Sequence, residues 1–234
     1  SNFSSYSNLY SAVSYDPQNV YFTIYGFTLA DTQSSIVKMH SRLVNVFDYQ
    51  TMMVSNSLQA DCPTFDKNGG CISISGRYSS SVASSNSTAS EASTLTAAIK
   101  LNDNLRVGAY VDQTISEQTL YGIKVNNTLP TFGLFGVWGP TPGNAGWNLR
   151  ASIGLGSKNL TITRPVVGSS EAGMGSSSLV TKGARAIIGY DVPTENGLTI
   201  SPYVGARYTN QKLGSYTESA TADVTAPLSY ANLV

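Results

Sequence analysis

The stretch Gly183-Ala184-Arg185-Ala186-Ile187-Ile188-Gly189-Tyr190-Asp191 alternates between two kinds of side chain. Its even-numbered positions carry Ala, Ala, Ile and Tyr, whereas its odd-numbered positions carry Gly, Arg, Ile, Gly and Asp. A period of two indicates a β-strand, because successive side chains point to opposite faces of a sheet. A soluble sheet normally offers long polar side chains to water, but here the polar face consists of glycines and charged residues. This composition is typical of a wall with lipid outside and a crowded, wet interior.

Further segments of the chain repeat this alternation, apart from residues 131–138, whose two faces are both apolar. The sequence therefore predicts about eight strands, at residues 72–78, 95–101, 105–112, 131–138, 149–156, 183–191, 203–208 and 228–234. Asn102-Asp103-Asn104 and Asn196-Gly197 predict tight hairpin turns. Longer links rich in Ser and Gly are expected at residues 79–93 and 167–178. Short turns at one end and longer loops at the other are the layout of an antiparallel outer-membrane barrel.

The composition points away from an ordinary soluble domain. The chain of 234 residues has 14 basic and 14 acidic side chains, so its net charge is zero and no nucleic-acid partner is implied. Only 12% of the residues are charged, about half of the share usual in soluble domains. No apolar run approaches the ~20 residues of a membrane helix, and residues 1–10 lack the features of a signal peptide. If the protein is exported, we expect this chain to be a mature or truncated segment.

Cys62 and Cys71 are the two cysteines of the chain, and Pro-Thr-Phe-Asp-Lys-Asn-Gly-Gly separates them. Such a short loop can close into a disulfide. By lowering the entropy of the unfolded chain, the disulfide would stabilise the fold by roughly 2–3 kcal/mol. Two free thiols are the alternative interpretation. A metal site would need more ligands nearby, and His40 is the one histidine of the chain. A disulfide predicts a location in the periplasm or outside the cell.

Residues 31 to about 60 predict one long helix, because apolar residues recur there at helical spacing. Between Asp31 and Pro63 the sequence contains neither Gly nor Pro. Asp31 or Thr32 is expected to cap its first turn. About twenty-five helical residues span ~38 Å, more than the hydrocarbon core of a bilayer. Polar and titratable side chains nevertheless follow the whole helix, so it cannot face lipid: Lys38, His40, Arg42 and Asp48. The helix lies inside a polar tube or packs on a sheet as an ordinary amphipathic helix.

The charged residues of the predicted strands fall on the face that carries the glycines. A basic side chain turned to lipid at mid-membrane would cost ~2–4 kcal/mol, so a membrane barrel requires this partition. The glycines leave room for an occupant, and we expect the helix to be that occupant, with Asp48, Asp112 and Asp191 pairing with arginines. The residues predicted to face the lumen are Arg77, Lys100, Arg106, Asp112, Arg150, Arg185, Asp191 and Arg207.

The sequence offers little for catalysis. A lone histidine on a helix does not complete a Ser-His-Asp set. The chain contains no phosphate-binding loop, metal-ligand cluster or dinucleotide fingerprint. We therefore expect a protein without enzymatic activity, cofactor or metal.

Three sequence segments carry a resemblance to a known family: Ser75-Gly76-Arg77-Tyr78, residues 105–113, and above all Pro202-Tyr203-x-Gly205-x-Arg207-Tyr208. They resemble segments of the translocator domain of autotransporters, the type Va secretion proteins. The resemblance covers roughly residues 30–234 and implies a barrel of about 12 strands with a helix threading the pore. It assigns residues 1–30 to a passenger or linker remnant, 31–60 to the pore helix and 61–234 to the barrel. It also implies the Gram-negative outer membrane, a passenger at the cell surface, and partnership with the barrel-assembly machinery and periplasmic chaperones.

The chain departs from the family pattern at its end, because it stops at Leu233-Val234 rather than on an aromatic residue. We therefore expect a fragment that lacks the last strands. Some autotransporters cleave their passenger within the pore, and Asn45, Asp48 and Asn56 are candidate scissile positions, with a stable tether as the alternative. Two other functions stay open: a secreted soluble β-rich adhesin or filament subunit, and a diffusion porin.

Overall fold

A computed structural model describes residues 9–26, 29–62, 64–83, 86–117, 122–140, 144–194, 196–219 and 228–233. It contains one helix, α1 (Leu29–Ser57), and a large set of strands. The strands are β1 (Leu9–Tyr15), β2 (Val20–Gly26), β3 (Gly70–Ala83), β4 (Asn86–Asn102), β5 (Leu105–Glu117), β6 (Ile123–Thr128), β7 (Thr131–Trp138), β8 (Gly146–Arg164), β9 (Gly173–Pro193), β10 (Thr199–Ile200), β11 (Tyr203–Leu213), β12 (Tyr216–Thr217) and β13 (Ser229–Tyr230).

The main sheet is an antiparallel meander of nine strands, β3 to β11. β6 and β7 lie end to end beside β8, and β10 and β11 lie end to end beside β9, so the nine strands fill seven positions. In the described part of the chain the sheet is open between β3 and β11. The two tight turns occur as predicted: Asp103 and Asn104 link β4 to β5, and Gly197 with its positive φ of 77° lies between β9 and β10.

Helix α1 packs along one face of this sheet, which we call the helix face; the opposite face is the outer face. Buried side chains recur along it, among them Met39, Leu43, Met53 and Val54. At ~1.5 Å per residue the helix is ~43 Å long. Across the described residues, no helix is both long and apolar enough to cross a bilayer.

The outer face carries an apolar band, which lies at the end of the sheet near the tight turns. On β8 the outer-face residues from Trp147 to Leu155 are Trp, Leu, Ala, Ile and Leu, and Ile153 is 56% exposed. β3, β4, β7 and β9 continue the band with exposed large side chains: Ile72, Ile74, Ile99, Leu101, Phe132, Leu134, Ile188 and Tyr190. About nine residues a strand is the length that a tilted strand needs to cross a bilayer.

The longest strands extend well beyond this band, and there the two faces exchange character. On the outer face of β8, Ser157, Asn159, Thr161 and Thr163 follow Leu155. On the helix face of the same strands, Leu160, Ile162 and Leu179 are almost fully buried. With the N-terminal half of α1 they form one core cluster, which also contains Met39, Leu43, Ile123, Leu213 and Tyr216. We call this part of the sheet the extension, and it has the inside-apolar pattern of a water-exposed fold.

Three expectations about element limits are wrong. The predicted link at 79–93 is largely strand, because β3 reaches Ala83 and β4 starts at Asn86, and the second half of the link at 167–178 is strand, because β9 starts at Gly173. Serines and threonines on both faces give little hydrophobic contrast there, so the alternation does not show in the sequence. The expected last strand at 228–234 is the two-residue β13, which pairs with β12 outside the main sheet.

The prediction that Asp31 or Thr32 caps the helix is also wrong. Helix α1 starts at Leu29, so Asp31 lies in its first turn, where its carboxylate accepts hydrogen bonds from the Ser169 amide at 3.0 Å and hydroxyl at 2.8 Å. Upstream of the helix, β1 and β2 form a separate hairpin of seven paired residues each. At its turn the Asp16 carboxylate accepts hydrogen bonds from the amides of Gln18 and Asn19.

Candidate functional site

The candidate site is the contact between α1 and the helix face, and a buried carboxylate lies at its centre. Asp112 of β5 is 4% exposed. One of its oxygens accepts hydrogen bonds from the hydroxyl of Ser57 in the last turn of α1, at 2.6 Å, and from Thr94 of β4, at 3.1 Å. The guanidinium of Arg77 on β3 donates to the same oxygen at 3.0 Å. The ion pair therefore ties two strands to the end of the helix.

Glycines on the helix face make room for large side chains beneath α1. Tyr110 of β5 is 2% exposed, and its ring lies directly over Gly133 of β7, where a Cβ atom would come within 2.1 Å of the ring. Its hydroxyl donates to the carbonyl of Ile153 at 3.3 Å. On β9, a Cβ at Gly183 would come within 2.7 Å of Val54 on the helix. These glycines let the helix approach the strand backbones closely.

A second ion-pair cluster holds the segment that follows the helix. The Asp61 carboxylate accepts two hydrogen bonds from Arg106, at 2.8 and 3.1 Å, and lies 3.5 Å from the guanidinium of Arg150. Ser152 donates to the carbonyl of Leu58 at 2.7 Å and satisfies a carbonyl left open at the helix end. The helix therefore ends against arginines of two strands.

The next residue along the chain, Cys62, forms a disulfide with Cys71 at the start of β3. The disulfide predicted from the short loop is thus present in the structure. It links the segment held by Asp61 covalently to the first strand of the main sheet. Cys62 itself is fully buried, in a cluster with Ala98, Tyr110 and Phe135.

Contacts from the extension hold α1 near its N-terminus and in its C-terminal half. The hydroxyl of Ser35 donates to the carbonyl of Pro165, and the side-chain amide of Gln211 donates to the carbonyl of Phe47 at 2.8 Å and to the hydroxyl of Thr51. Contacts from β8, β9 and β11 thus accompany those at the helix C-terminus. The helix is fixed at both ends.

A buried ion pair, which the sequence patterns did not reveal, closes the far end of the extension. Arg164 of β8 and Glu218 after β12 are 2% and 1% exposed in their side chains and meet at 2.8 Å. Tyr230 donates to the same carboxylate at 2.9 Å and stacks on Tyr216. Burial raises the pKa of Tyr216 to about 12, and the charge of Glu218 adds to this.

All residues predicted to face the lumen lie on the helix face: Arg77, Lys100, Arg106, Asp112, Arg150, Arg185, Asp191 and Arg207. Lys100 lies over the ring of Phe65, 5.7 Å from its centroid. Arg185 and Arg207 are directly opposite each other on β9 and β11. Asp112 pairs with an arginine as expected, whereas Asp191 instead accepts a hydrogen bond from Asn148 at 2.7 Å.

The polar residues predicted on the pore helix, Lys38, His40, Arg42 and Asp48, lie on α1. Lys38, His40 and Asp48 are exposed, on the side of α1 away from the sheet. Asp48 was expected to pair with an arginine. Instead Asp61, which lies four residues beyond the helix, pairs with Arg106. Arg42 is half-buried and lies against Gly122, where a Cβ would come within 2.6 Å of its guanidinium.

A helix on the charged, glycine-rich face of a meander with an apolar outer band agrees with the result of a family comparison. The family model of the autotransporter beta-domain matches residues 72–231, more than half of the chain. The chain belongs to the autotransporter β-domain family. No curated protein and no solved structure matches it.

Membership of the autotransporter β-domains confirms the resemblance found in the sequence. It assigns the chain to the outer membrane of Gram-negative bacteria, as the translocator part of a protein that also has a passenger domain. The antiparallel strands with one N-terminal helix agree with the predicted fold class, a transmembrane β-barrel with an internal helix. The sequence-based prediction makes the outer face the lipid side and the helix face the lumen side.

Three groups of this site were missed at the level of sequence. Asp61 follows the helix without any periodic pattern, and Arg164 and Glu218 are 54 residues apart in the chain. Ser57 looks like one of many serines. The signal that could have found Asp61 is its place beside Cys62, because a residue next to a predicted disulfide has a fixed position close to the first strand.

Proposed function

We propose that this domain exports an N-terminal passenger and afterwards holds it at the cell surface, with α1 as both tether and plug of the pore. The observation that carries the proposal is the anchoring of α1 at both ends on the lumen side, by Ser57 and Asp61 at one end and by Asp31 and Ser35 at the other. A helix fixed in this way fills space that an exported chain must otherwise cross. The proposed role includes no catalytic step.

The direction of the helix supports a passenger outside the cell. The segment after its C-terminus reaches Arg106 beside a tight turn through Asp61, and its N-terminus lies in the extension, next to Pro165 and Ser169. Outer-membrane barrels have short turns on the periplasmic side and long excursions on the extracellular side. Under the proposed function the extension therefore faces outward, and whatever precedes Leu29 emerges at the surface.

Conductance tests the plug. The full chain and a variant lacking residues 29–58 would be compared in planar bilayers, with a variant lacking only the hairpin at 9–26 as the control. We expect a several-fold rise in single-channel conductance for the helix deletion and none for the hairpin deletion. Equal conductance in all three proteins would overturn the plug, and an open pore in the intact chain would favour the diffusion porin.

Surface labelling tests the tether. An epitope placed before residue 9 should bind antibody on intact cells, and the protein should migrate faster on a gel before boiling than after it. Labelling only after the outer membrane is permeabilised would overturn the orientation. A soluble product without heat-modifiable migration would favour the secreted adhesin or filament subunit, which the exposed apolar band and the family membership disfavour.

Assembly belongs to the same proposal. An exposed apolar band of this size needs carriers across the periplasm and a machine that inserts it. We propose that periplasmic chaperones and the barrel-assembly machinery serve as these partners. Depletion of the assembly machinery should abolish the fast-migrating form without changing synthesis of the chain.

A further inference from the structure

Two lysines stand on the outer face just beyond the apolar band, on neighbouring strands. Lys182 of β9 occupies the next outer-face position after Ala184 and pairs with Asn210, whereas Lys212 of β11 pairs with Val180. Same-face positions along a strand are ~7 Å apart and adjacent strands ~4.8 Å, so the two ammonium groups are close neighbours. Both side chains are exposed, and neither contacts a carboxylate of the described residues.

The charge around these lysines has one sign. On the outer face of β6, β8, β9 and β11 beyond the band, the charged residues that the structure describes are Lys124, Lys182 and Lys212, and none is acidic. The acidic Glu91 is exposed on the outer face of β4, at the other side of the sheet. The basic surface is therefore confined to β6, β9 and β11 and is complementary to an anion.

Above the lysines the outer face carries mainly hydroxyl and amide groups, together with Lys124 and the exposed apolar side chains of Val180 and Met174. On β8 they extend from Ser157 to Thr163, and on β9 they include Ser176 and Ser178. From Leu155 to Thr163 the strand rises ~27 Å at ~3.4 Å per residue. Along one face the order is thus apolar band, lysine pair, and a tall polar surface without acidic groups.

We infer that this face binds the phosphorylated glycolipid of the outer leaflet, with the lysine pair on its phosphate groups. Such a lipid has acyl chains, phosphates and sugars in that order, which is the order of the layers on this face. Lysine binds phosphate as a point charge, and the site continues directly from the lipid-facing band. The inference rests on the proposed orientation, because the extension must face outward for these layers to meet the outer leaflet.

Native mass spectrometry of the full-length protein in detergent tests the site without reference to orientation. The probes are bisphosphorylated lipid A, the same lipid without phosphates, and phosphatidylglycerol. The variants are Lys182→Gln, Lys212→Gln and the double variant, with Lys67→Gln in the exposed loop near the tight turns as the control. A lysine near an anionic lipid surface contributes enough for about a fivefold change in affinity. We expect about fivefold weaker binding of lipid A for each single variant, about 25-fold for the double variant, and no change for the control.

The results separate this site from the proposed function. Equal binding of lipid A with and without phosphates, or equal loss with Lys67→Gln, would overturn the phosphate site. Binding of phosphatidylglycerol as tightly as lipid A would overturn the choice of the glycolipid. Orientation is read independently from a Ser176→Cys variant labelled by an impermeant maleimide on intact cells. Labelling supports the outward extension, whereas protection would overturn the orientation and with it the outer-leaflet glycolipid, even if phosphate binding at the lysines is measured.

Discussion

Individual buried groups on the lumen side are each held by several partners. The Asp112 carboxylate has donors from β3, β4 and the helix. The sequence predicted its face and its pairing with an arginine, because alternation determines the face. It could not predict the role of Ser57, since the contact joins residues 55 positions apart and depends on where the helix ends.

Replacing this carboxylate by an amide tests how strongly it holds the helix. Asp112→Asn removes the charge that pairs with Arg77 and leaves donors without a full set of acceptors. We expect unfolding to become easier by about 1–3 kcal/mol, measured as the fraction of fast-migrating protein against urea concentration. The matched control is Asp103→Asn in the exposed tight turn, which should change nothing. Equal effects of both variants would contradict the proposed anchoring.

Glycine positions make a second prediction at this scale. Gly133→Ala adds a methyl group where the ring of Tyr110 lies, and such overpacking costs about 1–3 kcal/mol. Gly76→Ala adds the same group on the outer face of β3, where no atom lies within 4 Å of the new Cβ. We expect only Gly133→Ala to lower the urea midpoint. A loss of equal size in both would mean that the backbone freedom of glycine, rather than space for Tyr110, is required.

Alkaline pH should weaken the far end of the extension. Burial raises the pKa of Tyr216 from 10.0 to about 12. A group with a raised pKa in the folded state contributes stability that is complete below the unfolded pKa and is lost as pH rises through the folded one. We therefore expect the urea midpoint to fall between pH 10 and about 12, and less steeply in Tyr216→Phe. The same slope in both proteins would contradict this account.

At the scale of elements, the strands exchange their inside and outside patterns along their length. Near the tight turns the apolar side chains of β8 face outward, and beyond Leu155 they face α1. Alternation alone predicted the membrane part of each strand, where glycine and arginine contrast with Ile and Leu. It missed the strand ends, because there serine and threonine occupy the outer face and the apolar side chains switch to the other face.

An arginine placed at two positions along the outer face of β8 tests where the apolar band ends and the extension begins. Ile153→Arg puts a charge in the middle of the apolar band, where it should cost ~2–4 kcal/mol in lipid. Asn159→Arg puts it on the same face in the extension, where we expect ~0–1 kcal/mol. The readout is the yield of fast-migrating, membrane-integrated protein. Equal yields would mean that the band ends elsewhere.

At the scale of the whole molecule, the sequence predicted the antiparallel sheet, the long helix and its place on the charged face. Those features follow from periodicity and from the cost of a charge in lipid. The extension and the hairpin upstream of α1 were not predicted as folded units. The cohesion of the extension comes from distant pairs such as Arg164 with Glu218, which leave no periodic trace in the sequence.

The anchoring of α1 at both ends also determines the order in which its contacts form during folding. The helix is made early, yet its partners come late: the Tyr216 hydroxyl meets the Met39 sulfur across 177 residues, and Gln211 meets Phe47 across 164. Contacts between such distant residues form slowly, because a long loop must close before any contact stabilises it. The helix thus gains its full set of contacts only after β11 and β12 have been made. Under the proposed function, the route beside the strands is passable until then, and completed docking of the helix closes it.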